Sequence, residues 1–117
     1  MKSDQYFFPF RRGEDIRRMP EFVDAMKGKD AVTLADILVS VVTTERGVID
    51  LDLYGMICFS VAVRWIGHKL CDRGLDELQL MYARFIKPLE TANRGIGMKN
   101  PKPLKAAVER YFTEVLQ

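Results

Sequence analysis

Residues 52 to 72 read DLYGMICFSVAVRWIGHKLCD, and the conformation of this stretch decides the fold. Phe59, Val61, Val63 and Trp65 alternate with a period of two, which would suit a β-strand. No turn signal interrupts the stretch, however, and ordinary strands last only about five or six residues. We therefore predict one helix over residues 52 to 72, buried on most of its sides.

The segments on either side of this helix carry helix start and stop signals. Residues 15 to 27 show helical spacing of apolar side chains, in a segment that Pro20 would divide and Gly28 would end. Thr33 and Asp36 form a capping-box-like pair that would open the second helix, and Gly47 would end it.

After the central helix the same signals continue. Gly74 would end the central helix, and Asp76 would cap the next one. Pro88 should kink or end that helix, because it lacks a backbone N–H. A last amphipathic helix follows Pro101 and Pro103.

These signals predict an all-α fold, a compact domain of about five helices packed around the central hydrophobic helix. The alternative is an α+β fold with a short hairpin formed by residues 48 to 66. Residues 1 to 13 are expected to form an aromatic and basic arm, and residues 14 to 117 a single helical domain.

Length and composition exclude several classes of protein. The chain has 117 residues, of which 48% are hydrophobic, so it can form a real core without disulfide or metal support. Its longest apolar run is well short of the roughly 18 to 20 residues that cross a bilayer. Cys58 and Cys71 would lie roughly 20 Å apart on one helix, too far for a disulfide. With no secretory signal pattern either, we expect a cytoplasmic protein with reduced thiols and no membrane partner.

The chemistry-bearing residues are few. His68 and Cys71 share one side of the predicted helix, but a catalytic dyad also needs an orienting third group and an oxyanion site, and no sequence motif supplies them. The ligands for a structural zinc site are too few. We therefore predict no enzyme activity, no cofactor and no metal.

A polar stripe crosses the central helix, formed by Ser60, Arg64, Gly67, His68 and Cys71. In one interpretation it faces water, with Arg64 paired to Asp50 or Asp52. In the other, Gly67 permits close approach and Arg64 and His68 contact another protein chain. Both interpretations stay open at this stage.

The N-terminal arm is the second candidate for partner binding, through Tyr6, Phe7, Phe8, Phe10, Arg11 and Arg12. Pro9 biases Phe8 toward an extended backbone, and aromatic residues with arginine are enriched at interface hot spots. The arm either packs on its own core or reaches another chain.

A basic segment over residues 94 to 105 supplies an alternative, because it carries Arg94, Lys99, Lys102 and Lys105 without an intervening acid. These side chains would bind phosphates weakly and in a salt-dependent way.

The sequence thus predicts a non-enzymatic protein-binding module that acts as an inhibitor, an immunity-type protein or an adaptor. We expect a protein partner and a homodimer. The alternative function is an accessory nucleic-acid-binding protein that uses the arm and the basic segment.

Overall fold

The computed structural model describes residues 17–49, 51, 53–92 and 100–117. Six helices form the described fold: α1 (Met19–Ala25), α2 (Ala31–Ser40), α3 (Leu53–Leu70), α4 (Leu75–Phe85), α5 (Lys87–Ala92) and α6 (Lys102–Val115). Within these residues the only β-type pairing is an isolated antiparallel bridge between Thr43 and Ile49. The all-α prediction is confirmed, and the hairpin alternative over residues 48 to 66 is wrong because α3 occupies most of that range.

The start of α1 corrects the prediction that Pro20 divides a longer helix. Pro20 lies in the first turn, where its missing N–H would have had no partner in the helix. The helix is therefore shorter than residues 15 to 27. α1 ends at Ala25 with Met26 as its C-cap, earlier than the predicted stop at Gly28. Gly28 lies in the turn that follows, with a φ of 78°, a left-handed conformation that favours glycine.

The cap of α2 is Asp30, not the predicted Thr33 and Asp36 pair. Asp30 has an extended backbone, and its Oδ1 accepts a hydrogen bond of 2.8 Å from the Thr33 N–H. The helix ends at Ser40, well before Gly47. Gly47 has a φ of 79° in a separate turn, where the Thr44 N–H donates to the Val48 carbonyl at 2.8 Å.

The ends of α3 and α4 also differ from the prediction. α3 ends at Leu70, and Gly74 instead precedes α4 with an extended backbone, so Asp76 lies inside the first turn rather than at its cap. Pro88 does break the chain's helical path, as predicted, because α4 ends at Phe85 and α5 is a separate short helix.

The core forms where α3 contacts α1, α4 and α6, and where α2 packs along α6. α6 therefore shares the central position with α3. The largest fully buried side chains come from α1, α3 and α6: Phe22, Phe59, Tyr111 and Phe112. An ion pair of 2.9 Å between Lys105 and Asp36 lies across the contact of α6 and α2.

No helix in the described part of the chain has both the length and the apolar character needed to cross a membrane.

Candidate functional site

The outward side of α3 carries large apolar side chains that are partly exposed. Ile57, Val61, Trp65 and His68 recur at helical spacing on one side of this helix, and we name them the outer α3 face. Ile57 is 54% exposed and Trp65 is 48% exposed, while Val61 between them is half-buried. Exposed apolar side chains that adjoin one another can form an interaction site, and here Ile57 and Trp65 adjoin through Val61.

Trp65 and His68 are held against each other on this face. Their ring centroids are 6.0 Å apart, and the rings meet edge to face at 78°. The contact restricts both side chains before any partner arrives, which lowers the entropy that binding would cost. His68 is exposed, as the partner-binding prediction requires.

One flank of α3, between its buried side and the outer α3 face, carries a polar cluster that we name the Ser60 cluster, formed by Ser60, Tyr82 and Glu90. The Tyr82 hydroxyl donates a hydrogen bond to Glu90 Oε1 and is also in hydrogen-bond contact with Ser60 Oγ. Ser60 Oγ lies 2.9 Å from both Glu90 Oε1 and the Met56 carbonyl, two acceptors for its one proton. The cluster therefore joins α3, α4 and α5.

Arg64 packs beside this cluster. Its guanidinium lies over the Tyr82 ring, 5.3 Å from the ring centroid, in a cation–π contact. Arg64 is half-buried, so part of it remains at the surface near Trp65. Its predicted partners Asp50 and Asp52 lie outside the described residues.

Gly67 is a close-approach point, as one interpretation predicted, but the approaching element is α6 of the same chain. A Cβ atom on Gly67 would lie 3.0 Å from the Tyr111 hydroxyl. That hydroxyl is buried and has no hydrogen-bond partner among the described residues. The polar stripe is therefore divided between the interior and the surface: Ser60 and Gly67 face inward, while His68 faces outward.

The chemistry available in the interior is limited. Burial raises the pKa of Tyr82, and the charge of Glu90 raises it further. Burial also raises the pKa of Tyr111. Both phenols therefore stay protonated at neutral pH. The Ser60 hydroxyl is buried with its proton directed at fixed acceptors, an arrangement that positions helices rather than presenting a nucleophile to solvent.

Among the described residues, His68 and Cys71 make no contact that would activate a thiol. The ring of His68 packs on Trp65, whereas Cys71 Sγ is a 3.4 Å acceptor for the Arg73 N–H. Cys58 is buried in the core. Within the described ranges, no group of three or more His, Cys, Asp or Glu side chains is placed to hold a metal ion.

Several predicted site residues lie outside the described residues: Tyr6, Phe7, Phe8, Phe10, Arg11, Arg12, Arg94 and Lys99. Of the remaining bases in the predicted anion site, Lys102 is exposed, whereas Lys105 is engaged by Asp36. Of the predicted partner-binding residues, His68 thus packs on Trp65 and Arg64 packs on Tyr82.

Sequence reasoning missed Ile57 and Trp65 as surface residues. The signal was present, because apolar side chains occur all round the central helix and a domain of this size cannot cover every side of it. The Ser60 cluster had no comparable signal, since Tyr82 and Glu90 lie 22 and 30 residues from Ser60.

Comparison with known proteins adds no relative. A scan against protein-family models found no match, and searches of curated proteins and of solved structures found no significant match either.

Proposed function

We propose that this protein is a non-enzymatic protein-binding module of the inhibitor, immunity or adaptor kind, which contacts its partner through the outer α3 face. The observation that carries the proposal is the half-exposed Trp65 in line with Ile57 on that face. Tryptophan is among the residue types enriched at interface hot spots, where truncation of one side chain can cost about 2 kcal/mol or more.

The face is rigid because the other side of α3 is locked in the core. Phe59, Ala62 and Ile66 are each 0% exposed, so the helix cannot rotate or shift without breaking the core. Gly67 adds a second constraint through its contact with Tyr111. A preformed face of this kind binds without an ordering cost in the backbone.

Two further parts of the proposal concern the arm and self-association. The arm residues 6 to 12 would extend the interface beyond α3, and a homodimer remains a prediction of the same kind. Deleting residues 1 to 10 should change the sedimentation mass if the arm bridges two subunits; an unchanged mass would exclude that role.

The alternative function, nucleic-acid binding, has less support from the described residues. Asp36 neutralises Lys105 at 2.9 Å, which removes one base from a footprint that was already small. Lys102 is the other described base of that segment, and it has no carboxylate within ion-pair distance among the described residues.

The test is affinity capture from the source cell with the wild-type chain, with Trp65→Ala and with Leu80→Ala as the matched control. Leu80 is 72% exposed on α4 and is not part of the outer α3 face. We expect Trp65→Ala to lose the partner at least tenfold, and we expect Leu80→Ala to retain it after nuclease treatment and at moderate salt.

Two results would overturn the proposal. One is a captured protein that binds Trp65→Ala as well as the wild type. The other is a signal that nuclease removes. Urea unfolding of both variants shows whether either substitution acts by unfolding the domain.

A further inference from the structure

Two groups of bases occur in the described fold. Four bases form ion pairs with carboxylates: Arg18 with Glu21, Lys27 with Asp24, Arg73 with Glu77, and Lys105 with Asp36. Others, such as Lys87 and Lys102, have no such pair among the described residues, and the bases beside the outer α3 face belong to this second group. Arg64 and Lys69 have no carboxylate within ion-pair distance among the described residues.

These two bases bracket the apolar side chains. At about 100° per residue, Arg64 lies on one flank of the line through Ile57, Val61 and Trp65, and Lys69 lies on the other. His68 continues the line between them. Leu53–Leu70 contains no aspartate or glutamate, so the face is an apolar stripe between two bases that form no ion pair with a carboxylate of the described residues.

We propose that the contact segment of the partner is an amphipathic helix with an apolar stripe and acidic flanks. This inference rests on the function proposed above. The apolar stripe would pack on Ile57, Val61 and Trp65 in the manner of a helix on a helix. Aspartate or glutamate side chains on its flanks would face Arg64 and Lys69, which complements the charge of this face.

Two other occupants fit the face less well. The α3 helix of a second copy brings the same bases and no acid within Leu53–Leu70, so the bases of both copies would stay unneutralised. An anionic membrane would require the apolar side chains to reach the acyl boundary. Ile57 and Trp65 are only about half exposed, a depth that suits packing against a helix.

The test uses two soluble helical peptides of equal length with the same leucine stripe, one with glutamate and one with lysine on both flanks. Binding to the full chain is measured by titration calorimetry. We expect the glutamate peptide to bind about tenfold more tightly at low salt, since two surface charge pairs change from attraction to repulsion. The preference should shrink in high salt.

Variants separate charge from packing. Lys69→Glu should reduce the glutamate preference or reverse it, because Lys69 is exposed and its replacement leaves the core unchanged. Trp65→Ala should weaken both peptides by the same factor, and Leu80→Ala should weaken neither. Equal binding of the two peptides, or binding of neither, overturns the inference.

The other occupants give their own signatures. A dimer of the chain alone that Trp65→Ala dissociates in sedimentation would assign the face to a second copy. Binding to phosphatidylserine vesicles that Trp65→Ala abolishes would assign it to a membrane. Either result overturns the acidic helix. If capture of the partner depends on Trp65 but the two peptides bind equally, only this inference fails. If the peptides bind equally and capture of the partner does not depend on Trp65, the proposed function fails as well.

Discussion

The Tyr111 hydroxyl lies 3.0 Å from the point at which Gly67 would carry a Cβ atom. This relationship fixes how closely α6 can approach α3. Gly67 is inside a helix, where glycine is the least favourable residue after proline. Its presence there is explained by the space that the phenol occupies.

Gly67→Ala should destabilise the protein despite its better helix propensity. The alanine gains about 1 kcal/mol as a helix former, but overpacking against a fully buried side chain costs about 1 to 3 kcal/mol. We expect a net loss of about 1 kcal/mol in the free energy of unfolding, measured by urea denaturation. The control is the same substitution in a Tyr111→Phe background, where the loss should disappear; an equal loss in both backgrounds would place the clash elsewhere.

The two buried tyrosines should respond in opposite directions to loss of the hydroxyl. Their rings are in edge-to-face contact, with centroids 6.3 Å apart, but of the two hydroxyls only that of Tyr82 has a hydrogen-bond partner within the described part of the chain. Tyr82→Phe removes the bond to Glu90 and should cost about 1 to 3 kcal/mol. Tyr111→Phe removes an unsatisfied buried group and should be neutral or stabilising by about 1 kcal/mol.

The free energies of unfolding of Tyr82→Phe and Tyr111→Phe, measured by urea denaturation, test this prediction. Because the two substitutions delete the same atom type from neighbouring rings, each serves as the control for the other. A comparable loss in both variants would show that Tyr111 has a hydrogen-bond partner in solution.

Truncation to alanine should reduce the stability of the protein much more at Phe59 than at Ile57, although both residues belong to α3. Phe59 is 0% exposed, so Phe59→Ala should cost about 3 to 5 kcal/mol and bring the domain close to unfolding. Ile57 is 54% exposed, and Ile57→Ala should cost less than about 1 kcal/mol. Thermal unfolding of both variants tests the assignment of inner and outer faces, which similar losses would contradict.

The cap of α2 should give a pH-dependent contribution to stability. Hydrogen bonds from the side chain and backbone of Thr33 hold the pKa of Asp30 below its ordinary value of 3.8. A carboxyl whose pKa is lowered by folding stabilises the folded state above the unfolded pKa, and this contribution is lost as pH falls through the folded pKa.

Asp30→Asn is the informative variant, because asparagine caps a helix about as well but does not titrate in this range. The stability of the wild type relative to Asp30→Asn should fall as the pH decreases below about 4, in urea midpoints measured between pH 2 and 6. Asp30→Ala should be less stable than both near neutral pH. A constant difference between wild type and Asp30→Asn across this range would mean that the cap carries no linked proton.

The sequence predicts what depends on length and local spacing. The long apolar run predicts α3, and Pro88 predicts the break after α4. Both predictions hold because each signal depends only on neighbouring residues. The helix caps were harder to predict from the sequence. Asp30 lies one turn before the predicted Thr33 and Asp36 pair, and several oxygen-bearing side chains in this segment suit a cap equally well. Gly74 shows the same ambiguity between ending one helix and preceding the next.

The site required the folded structure for a different reason. Ser60, Arg64 and Gly67 looked like one polar stripe, but their environment is set by Tyr82 and Tyr111 on distant segments. Local spacing tells which residues share a side of a helix. It does not tell which side the other helices cover, and that decides whether Trp65 is core or surface.

Trp65 is the only tryptophan of the chain, and it is about half exposed at the centre of the outer α3 face. Its emission spectrum therefore comes from one known position, free of contributions from a second indole. Contact with any occupant that removes water from this ring should shift the emission maximum to shorter wavelength and reduce quenching by acrylamide. The protein thus carries an intrinsic fluorescent reporter for occupation of this surface, with no label attached.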